Sequence, residues 1–209
     1  MNVLLINSSS DLSDNSTSRK LTYQIIQKLK DTHTGVAISE RDVARDIIPH
    51  LDHNTIGAFY SPEEQYSDDM KRADIRSREI IDEFKNANIV IIGAPMYNFS
   101  IPSTLRSYFD NLLRVGHTFE FTESGPKGLV DEKKVIVVIT RGSEFKGNQG
   151  NHQEPYLSTL FSFIGVNDIS YVVAEGLALP DKRDSAIEQA MNMISDIIDM
   201  PQQTAPLPA

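Results

Sequence analysis

The chain has 209 residues, 40% of them apolar, and a formal net charge of -9 with a sequence pI near 5.0. A chain of this length can bury one sizeable core, so we expect a single domain over residues 1–200 and a disordered, Pro- and Ala-rich tail over 201–209. The acidic charge argues against nucleic acid as a partner, because phosphate backbones are bound by clustered Lys and Arg. The absence of cysteine excludes disulfides, thiolate nucleophiles and iron–sulfur clusters, so any redox chemistry must come from a bound cofactor.

The first six residues are apolar over too short a stretch for a signal peptide, and they lack a basic leader. No later apolar run reaches the length of a transmembrane helix. We therefore expect a cytoplasmic protein that does not associate with membranes.

Short apolar runs rich in β-branched residues predict strands. In chain order these runs are Val3–Ile6, Ile89–Ile92, Val135–Ile139 and Ile169–Val173. Continuous runs of this kind are typical of parallel strands that are covered on both faces. A weaker, alternating segment at Gly35–Glu40 predicts a second strand closer to the edge of the sheet.

Between the strands, apolar residues recur every three or four positions, which is the spacing of one helix face. The first pattern follows Ser16-Thr17-Ser18, residue types that commonly begin helices. In chain order the patterns are Leu21-Ile25-Leu29, Ile80-Phe84, Leu105-Phe109-Leu112, Leu157-Phe161-Ile164 and Ile187-Met191-Ile194-Ile198. The alternation predicts the α/β class: a single domain with a doubly wound, five-stranded parallel sheet and five main helices on its two faces.

Two segments interrupt this alternation. Arg45–Met70 is too long for a simple connection and predicts a functional loop or short helices at the rim of the sheet. His117–Val130 alternates polar residues with Phe119 and Phe121 before a Ser-Gly-Pro turn, which predicts a small hairpin.

In an open α/β sheet the ligand binds beyond the carboxyl ends of the strands. The loop after the first strand, residues 7–18 (the serine loop), contains no glycine, which excludes a Rossmann G-x-G-x-x-G and a P-loop. Its hydroxyl and N–H groups at a helix start suit the phosphate of a mononucleotide cofactor, although an ordinary serine-rich helix cap is the alternative. Asp11 and Asp14 must point outward for a phosphate to bind, because carboxylates repel it.

The loop after the central strand, Gly93–Pro102, combines two prolines with two aromatic residues. A stiff loop with backbone amides and a flat aromatic surface suits the isoalloxazine ring of a flavin, and a proline-bounded turn with packed aromatics is the alternative. After the next strand, Gly142 permits close backbone approach. Arg141 is a candidate to stabilise negative charge on a reduced flavin or, alternatively, a surface salt-bridge partner.

Other chemistries find less support in the residues. His50, Asp52 and His53 have a spacing compatible with metal ligands, but no further histidine cluster accompanies them, and we predict no metal site. There is no G-x-S-x-G nucleophile elbow. We assign no side chain as catalytic.

Several motifs together resemble the FMN-dependent NADH azoreductase and quinone reductase family, whose members have a flavodoxin-like fold. The matching segments are Ser8-Ser9, Ser16-Thr17-Ser18, APMYNF at Ala94–Phe99, TFEFTESGPKGL at Thr118–Leu129 and PYLSTLFSFIG at Pro155–Gly165. The resemblance extends over nearly the whole chain, from Val3 to about Ile198. The spacing of PMYNF from TFEFTESGPKGL is its most specific part.

The resemblance implies bound FMN, NADH or NADPH as the electron donor, a quinone or azo compound as the acceptor, and ping-pong hydride transfer. It also implies a homodimer with sites at the interface, where Phe59 and Tyr60 help to cover the flavin ring. Carried over by position, the FMN contacts are Ser9, Ser16, Thr17, Ser18, Met96, Tyr97, Asn98, Phe99, Thr140, Arg141, Gly142 and Ser143. The contacts at Met96–Phe99 are expected to come mainly from the backbone.

The chain departs from the family pattern at three places. The serine loop is one residue longer than in many relatives, so Ser10 competes with Ser9 as the FMN contact. Ser143 stands where a second glycine is common, and Phe121 replaces a tyrosine found in some relatives near the flavin edge. Both changes bear on the choice of acceptor.

Two other functions on the same fold stay open: an FMN-binding electron carrier or regulator, and an NAD(P)H-dependent FMN reductase that releases reduced flavin. The segments Arg45–Met70 and His117–Val130 would enlarge a pocket beyond the needs of a small carrier. We therefore favour the enzyme.

Overall fold

The computed structural model describes residues 1–145 and 150–199, and its main sheet has five parallel strands in the order β2-β1-β3-β6-β7. The strands of this sheet are Asn2–Asn7 (β1), Ala37–Asp42 (β2), Ile89–Pro95 (β3), Lys134–Thr140 (β6) and Ile169–Ala174 (β7). An antiparallel pair, Phe119–Thr122 (β4) and Gly125–Gly128 (β5), forms the predicted hairpin outside it. The α/β class, the five parallel strands and the flavodoxin-like strand order are thereby confirmed.

Six α-helices lie in the described part of the chain, one more than the five predicted. They are Thr17–Thr32 (α1), His53–Tyr60 (α2), Asp68–Asn86 (α3), Ser103–Leu112 (α4), Gln153–Ile164 (α5) and Arg183–Asp199 (α6), with a 3₁₀ turn at Glu63–Gln65. The additional helix is α2, which lies in the rim segment where short helices were one of the two expectations. Asp52 caps it by accepting a hydrogen bond from the backbone N–H of Thr55 at 2.7 Å.

The sheet separates two apolar cores. Along β1, Leu4 and Ile6 face the core built with α3, α4 and α5, while Val3 and Leu5 face the core built with α1 and α6. Because both faces are covered, successive residues are buried regardless of the side to which they point. This explains why the central strands read as continuous apolar runs.

The buried face of α6 differs from the predicted one. Its buried residues are Ala186, Ala190 and Ile194, whereas the predicted Ile187, Met191 and Ile198 are only partly buried. Alanine side chains are small and allow the helix to approach the sheet closely. The predicted face was drawn through large apolar residues and therefore did not include them.

The hairpin rests on the end of α5. A Cβ atom on Gly128 would lie 2.2 Å from the backbone nitrogen of Gly165 and from the carbonyl carbon of Ile164. Gly165 ends α5 in the left-handed conformation, with φ at +101°. Only a residue without a side chain allows this contact, so Gly128 determines where the hairpin docks.

Within the described ranges, no helix has both the length and the apolar character needed to cross a bilayer. The predicted disordered tail, residues 201–209, lies outside the described residues.

Candidate functional site

The candidate site lies at the carboxyl ends of β1 and β3, where the strand order reverses. The serine loop follows β1, and a second loop, Met96–Pro102 (the β3 loop), follows β3. The two loops are in direct contact, because the Tyr97 hydroxyl accepts a hydrogen bond from the Ser10 backbone N–H at 3.1 Å and lies 3.4 Å from the Ser9 hydroxyl.

Three buried hydroxyl groups converge at the start of α1. Ser16 Oγ donates to Ser9 Oγ at 3.0 Å, and the hydroxyls of Ser16 and Ser18 are 3.4 Å apart. These serines are 3%, 5% and 2% exposed, in the order Ser9, Ser16 and Ser18. By contrast, Ser10 is exposed and contributes its backbone N–H rather than its hydroxyl, so the geometry favours Ser9 as the hydroxyl contact.

The first turn of α1 has no internal cap. Ser16 is the N-cap residue, yet its side chain makes no capping hydrogen bond, and the first turn contains no acidic residue. Among residues 1–145 and 150–199, the N–H groups of Thr17, Ser18 and Arg19 find no acceptor. An ordinary serine cap, the alternative for this loop, would accept a hydrogen bond from one of them. The open helix start instead suits an anion, which is attracted by the helix dipole.

The two aspartates of the serine loop point away from this cluster. Asp11 and Asp14 are both exposed. The Asp11 carboxylate accepts hydrogen bonds from the Ser13 hydroxyl at 2.6 Å and the Ser13 N–H at 3.0 Å, which lower the pKa of Asp11. The Asp11 carboxylate is therefore bound to Ser13 within the loop and is not part of the serine cluster.

The β3 loop contains a tight turn with strained backbone. Tyr97 and Ser100 exchange both backbone hydrogen bonds, at 3.0 and 3.1 Å, around Asn98 and Phe99. These two residues have φ of +50° and +68°, values that asparagine tolerates and phenylalanine rarely adopts. The Phe99 side chain is 61% exposed and lies edge-to-face with Phe145. Strain that holds an aromatic ring in the open at a ligand edge points to a functional role.

The backbone donors of the β3 loop are not all available to a ligand. The Met96 N–H donates to the Thr140 carbonyl at 2.8 Å, and the Tyr97 N–H is used inside the turn. The N–H groups of Asn98 and Phe99 have no acceptor in the part of the chain that the structure describes. Of the four backbone N–H groups of Met96–Phe99, those of Asn98 and Phe99 are therefore available to a ligand, and the Met96–Thr140 bond joins the β3 loop to the end of β6.

Arg141 is only 3% exposed, and its guanidinium is engaged by the chain itself. It forms ion pairs with Glu154, at 2.8 Å, and with Glu175. The alternative expectation of a salt-bridge partner is confirmed, although the arginine is buried rather than at the surface, and two carboxylates already compensate its charge. Gly142 and Ser143 are exposed, and their N–H groups have no acceptor within the described ranges.

The sequence reasoning missed three residues that organise the site. Gln153, fully buried at the start of α5, donates to the Ala94 carbonyl at 3.0 Å and accepts from Arg141. It thereby connects the start of α5, the end of β3 and the loop after β6. Arg19 and Asp42 form a buried ion pair beside the serine loop. A cation in the first turn of a helix is electrostatically unfavourable, and this placement of Arg19 was the signal available in the sequence.

Phe59 and His50, both in the rim segment, contact other parts of the chain. Phe59 packs under the Arg114 guanidinium at 4.7 Å, while Tyr60 is 73% exposed and is the residue of the pair that remains accessible. His50 Nδ1 lies 2.9 Å from the Ser107 hydroxyl. Across the described residues, no group of three or more histidine or carboxylate side chains is placed to hold a metal ion.

Comparisons with known proteins identify the family of the chain. A family model described as a flavodoxin-like fold matches residues 1–198. The chain is 41% identical over 196 residues to FMN-dependent NADH:quinone oxidoreductase 2 of Pseudomonas fluorescens strain Pf-5, covering 93% of this chain and 98% of that protein.

Two solved structures share the fold over almost their whole length. The azoreductase from Bacillus anthracis str. Sterne superposes with a TM-score of 0.87 at 24% identity, covering 95% of this chain and 99% of that one. The FMN-dependent NADH-azoreductase from Bacillus anthracis str. Ames Ancestor, in complex with FMN, gives 0.84 at 25% identity, with 95% and 100% covered. The chain belongs to the flavodoxin-like family that includes the FMN-dependent NADH:quinone oxidoreductases and azoreductases.

Proposed function

We propose that this protein is an FMN-dependent oxidoreductase that transfers two electrons from NADH or NADPH to a quinone or an azo compound. The observation that carries the proposal is the open start of α1, where three buried serine hydroxyls lie beside uncapped N–H groups of the described chain. FMN is the cofactor in the names of the relatives, and its single terminal phosphate suits a site built on one helix start.

The residues at the open helix start fit the phosphate end of FMN. In the proposal, Ser9, Ser16, Thr17 and Ser18 hold the phosphate through their hydroxyls and helix N–H groups. No acidic side chain of the first turn opposes the negative charge, and Asp11 is turned outward. Charge-assisted hydrogen bonds of this kind are stronger than those between neutral groups.

The β3 loop and the loop after β6 fit the ring end. Asn98 and Phe99 offer backbone N–H groups, Phe99 offers an aromatic surface, and Gly142 and Ser143 offer further N–H groups to the polar rim of the ring. Met96, Tyr97, Thr140 and Arg141 then support the loops that carry these groups.

Bound FMN supplies the reversible two-electron chemistry that the side chains of this protein lack. The chain binds the cofactor, orients it and limits the access of water. The donor and the acceptor bind in turn, in ping-pong order. No side chain is assigned as acid or base, and protons come from solvent or from the cofactor.

An FMN-binding electron carrier is the main alternative on this fold. The rim segment and the hairpin favour the enzyme, because they add exposed aromatic side chains that a small carrier does not need. Tyr60 and Phe121 are 73% and 72% exposed. A carrier would pass electrons singly and show negligible NADH oxidation, and an FMN reductase would release its flavin.

The proposed assembly is a homodimer with the sites at the interface, in the cytoplasm, where NAD(P)H is available. Ile47, Ile56 and Ile75 are 71%, 44% and 57% exposed, and a second subunit would remove this apolar surface from water. Sedimentation at micromolar concentration tests the assembly, and a monomeric protein contradicts it.

The function is tested with the purified protein. It should be yellow, bleach when NADH is added without oxygen, and regain its colour with a quinone. Steady-state rates with both nucleotides, each against a quinone and an azo dye, identify the donor and the acceptor class. A colourless protein that takes up no added FMN would rule the proposal out.

A further inference from the structure

Arg19 lies in the segment that we propose to hold the FMN phosphate, yet it is not arranged to bind a phosphate. An arginine beside a phosphate site usually forms a direct, charge-assisted hydrogen bond to it. Here the residue is 9% exposed, and its side chain turns back to groups of the chain itself. This arrangement calls for a different role.

The guanidinium donates to four acceptor atoms on three residues. Nη1 and Nη2 donate to the two carboxylate oxygens of Asp42 at 2.7 and 3.0 Å, in the bidentate geometry that suits arginine. Nη2 also donates to the Ser9 carbonyl at 2.9 Å, and Nε donates to the Asp11 carbonyl at 3.1 Å. All three nitrogens are engaged, and Asp42 compensates the positive charge.

The two carbonyl bonds orient two peptide planes of the serine loop. In a trans peptide the carbonyl and the following N–H point in opposite directions. Because the Ser9 carbonyl faces Arg19, the Ser10 N–H faces away from it and donates to the Tyr97 hydroxyl. The Leu12 N–H faces away from Arg19 for the same reason. A loop free to rotate would be able to turn its carbonyl oxygens towards the phosphate, which they repel.

Asp42 connects this arrangement to the sheet. It is the last residue of β2, in register with Asn7 of β1, and its carboxylate also accepts from the Ala44 N–H and from Arg45 Nε, both at 3.1 Å. Burial, the largest single effect, raises the pKa of this carboxyl, but the hydrogen bonds and charge of Arg19 together with backbone hydrogen bonds from Ala44 and Arg45 outweigh it, so the pKa is lowered. Asp42 is therefore ionised at neutral pH.

We propose that Arg19 and Asp42 are positioning residues for the FMN phosphate. The pair holds the serine loop with its carbonyls towards Arg19 and its hydroxyls and remaining N–H groups towards the cofactor. This inference rests on the proposed function. The two ends of FMN should respond differently. The affinity contributed by the phosphate depends on the Arg19–Asp42 pair, and the affinity contributed by the ring does not.

The Arg19→Lys variant tests the inference. Lysine keeps the positive charge but replaces the planar fork with one ammonium group, which cannot reproduce four hydrogen bonds in this geometry. The dissociation constants of FMN and of riboflavin, which has the same ring without the phosphate, are measured by fluorescence titration of protein stripped of flavin. We expect the Kd of FMN to rise roughly tenfold, about 1.4 kcal/mol, and that of riboflavin to change by less than about twofold.

Two further variants make the test specific. Arg41→Lys is the matched control, because Arg41 precedes Asp42 in the same strand and forms a bidentate ion pair with Glu83, away from the serine loop. It should leave the ratio of the FMN and riboflavin constants unchanged. Asp42→Asn keeps the hydrogen bonds from Arg19 to the loop carbonyls but weakens the ion pair that holds Arg19 in place. It should therefore lower FMN affinity by a smaller factor and leave riboflavin affinity unchanged. It also serves as the test if Arg19→Lys does not fold.

The possible results separate the inference from the function on which it rests. Equal losses of FMN and riboflavin affinity indicate a general structural role, and unchanged FMN affinity in Arg19→Lys indicates that charge alone suffices. Either result, with normal binding by the wild-type protein, overturns the inference alone. A wild-type protein that binds neither flavin overturns the proposed function and this inference together.

Discussion

The Tyr97 hydroxyl accepts a hydrogen bond from the backbone N–H of Ser10 at 3.1 Å and thereby joins the loops that follow two adjacent strands. Tyr97→Phe removes this bond and leaves the ring in place. We expect FMN affinity to fall roughly two- to tenfold, because one hydrogen bond contributes about 0.5–1.5 kcal/mol. The melting temperature should hardly change, since the side chain is 37% exposed. Flavin titration and thermal unfolding measure the two effects.

Tyr23→Phe is the matched control for this prediction. The Tyr23 hydroxyl donates to Glu40 at 3.0 Å on the outer side of α1, so this variant also loses one hydrogen bond between elements. FMN affinity should be unchanged. Equal effects of the two substitutions on FMN binding would show that the bond between the loops has no special role.

Phe99→Gly should stabilise the protein and weaken its function. Glycine adopts φ near +68° without the cost that phenylalanine incurs, and relief of such strain is worth about 1 kcal/mol, less the entropy that glycine adds to the unfolded chain. Denaturant unfolding of the flavin-free protein should therefore show a small gain, while riboflavin affinity falls because the exposed ring is lost.

Asn98→Gly provides the comparison for Phe99→Gly. Asparagine tolerates its φ of +50°, so the gain in stability should be smaller. Riboflavin affinity should be closer to that of the wild type, because the aromatic ring remains. Loss of stability in Phe99→Gly alone would contradict the argument that its backbone is strained.

Gly128→Ala should displace the hairpin. An added Cβ would meet backbone atoms of Ile164 and Gly165 at 2.2 Å, and backbone cannot move aside as a flexible side chain can. We expect a loss of about 1–3 kcal/mol in the free energy of unfolding, the usual cost of overpacking.

Gly57→Ala is the control for Gly128→Ala. Its Cβ would meet the end of the flexible Met70 side chain at 3.0 Å, and alanine is the better helix former within α2. This variant should be as stable as the wild type or more so. A Gly128→Ala variant of unchanged stability would show that the hairpin docks in another way.

The stability contributed by Asp42 should depend on pH. The pKa of Asp42 is lower in the folded protein than in the unfolded chain, so the unfolded chain binds the proton more tightly. Its contribution is complete above the unfolded value of about 3.9 and is lost as pH falls through the lower folded value. The difference in unfolding free energy between wild type and Asp42→Asn should be constant from pH 5 to 7 and shrink below about pH 4. A difference that does not narrow in acid contradicts this.

The sequence by itself determined the class of fold and pointed to the candidate site. Runs such as Val3–Ile6 are apolar at every position because both faces of the sheet are covered, and this pattern is local. The PMYNF and GPKGL motifs lie at a spacing that indicated the family before any distance was known. The serine loop was predicted to hold a phosphate because helix starts and hydroxyls have the same chemistry wherever they occur.

Only the tertiary structure decided which groups of that site are available. Arg19 and Asp42 pair across 23 positions, and Arg141 and Glu175 across 34, separations that follow no helical or strand period. The positive φ of Phe99 was equally unreadable, because its residue type argues against that conformation. Local patterns report burial and propensity, whereas the partner of a polar group depends on which strands lie side by side. That arrangement pairs Arg141 with two carboxylates and leaves the start of α1 open.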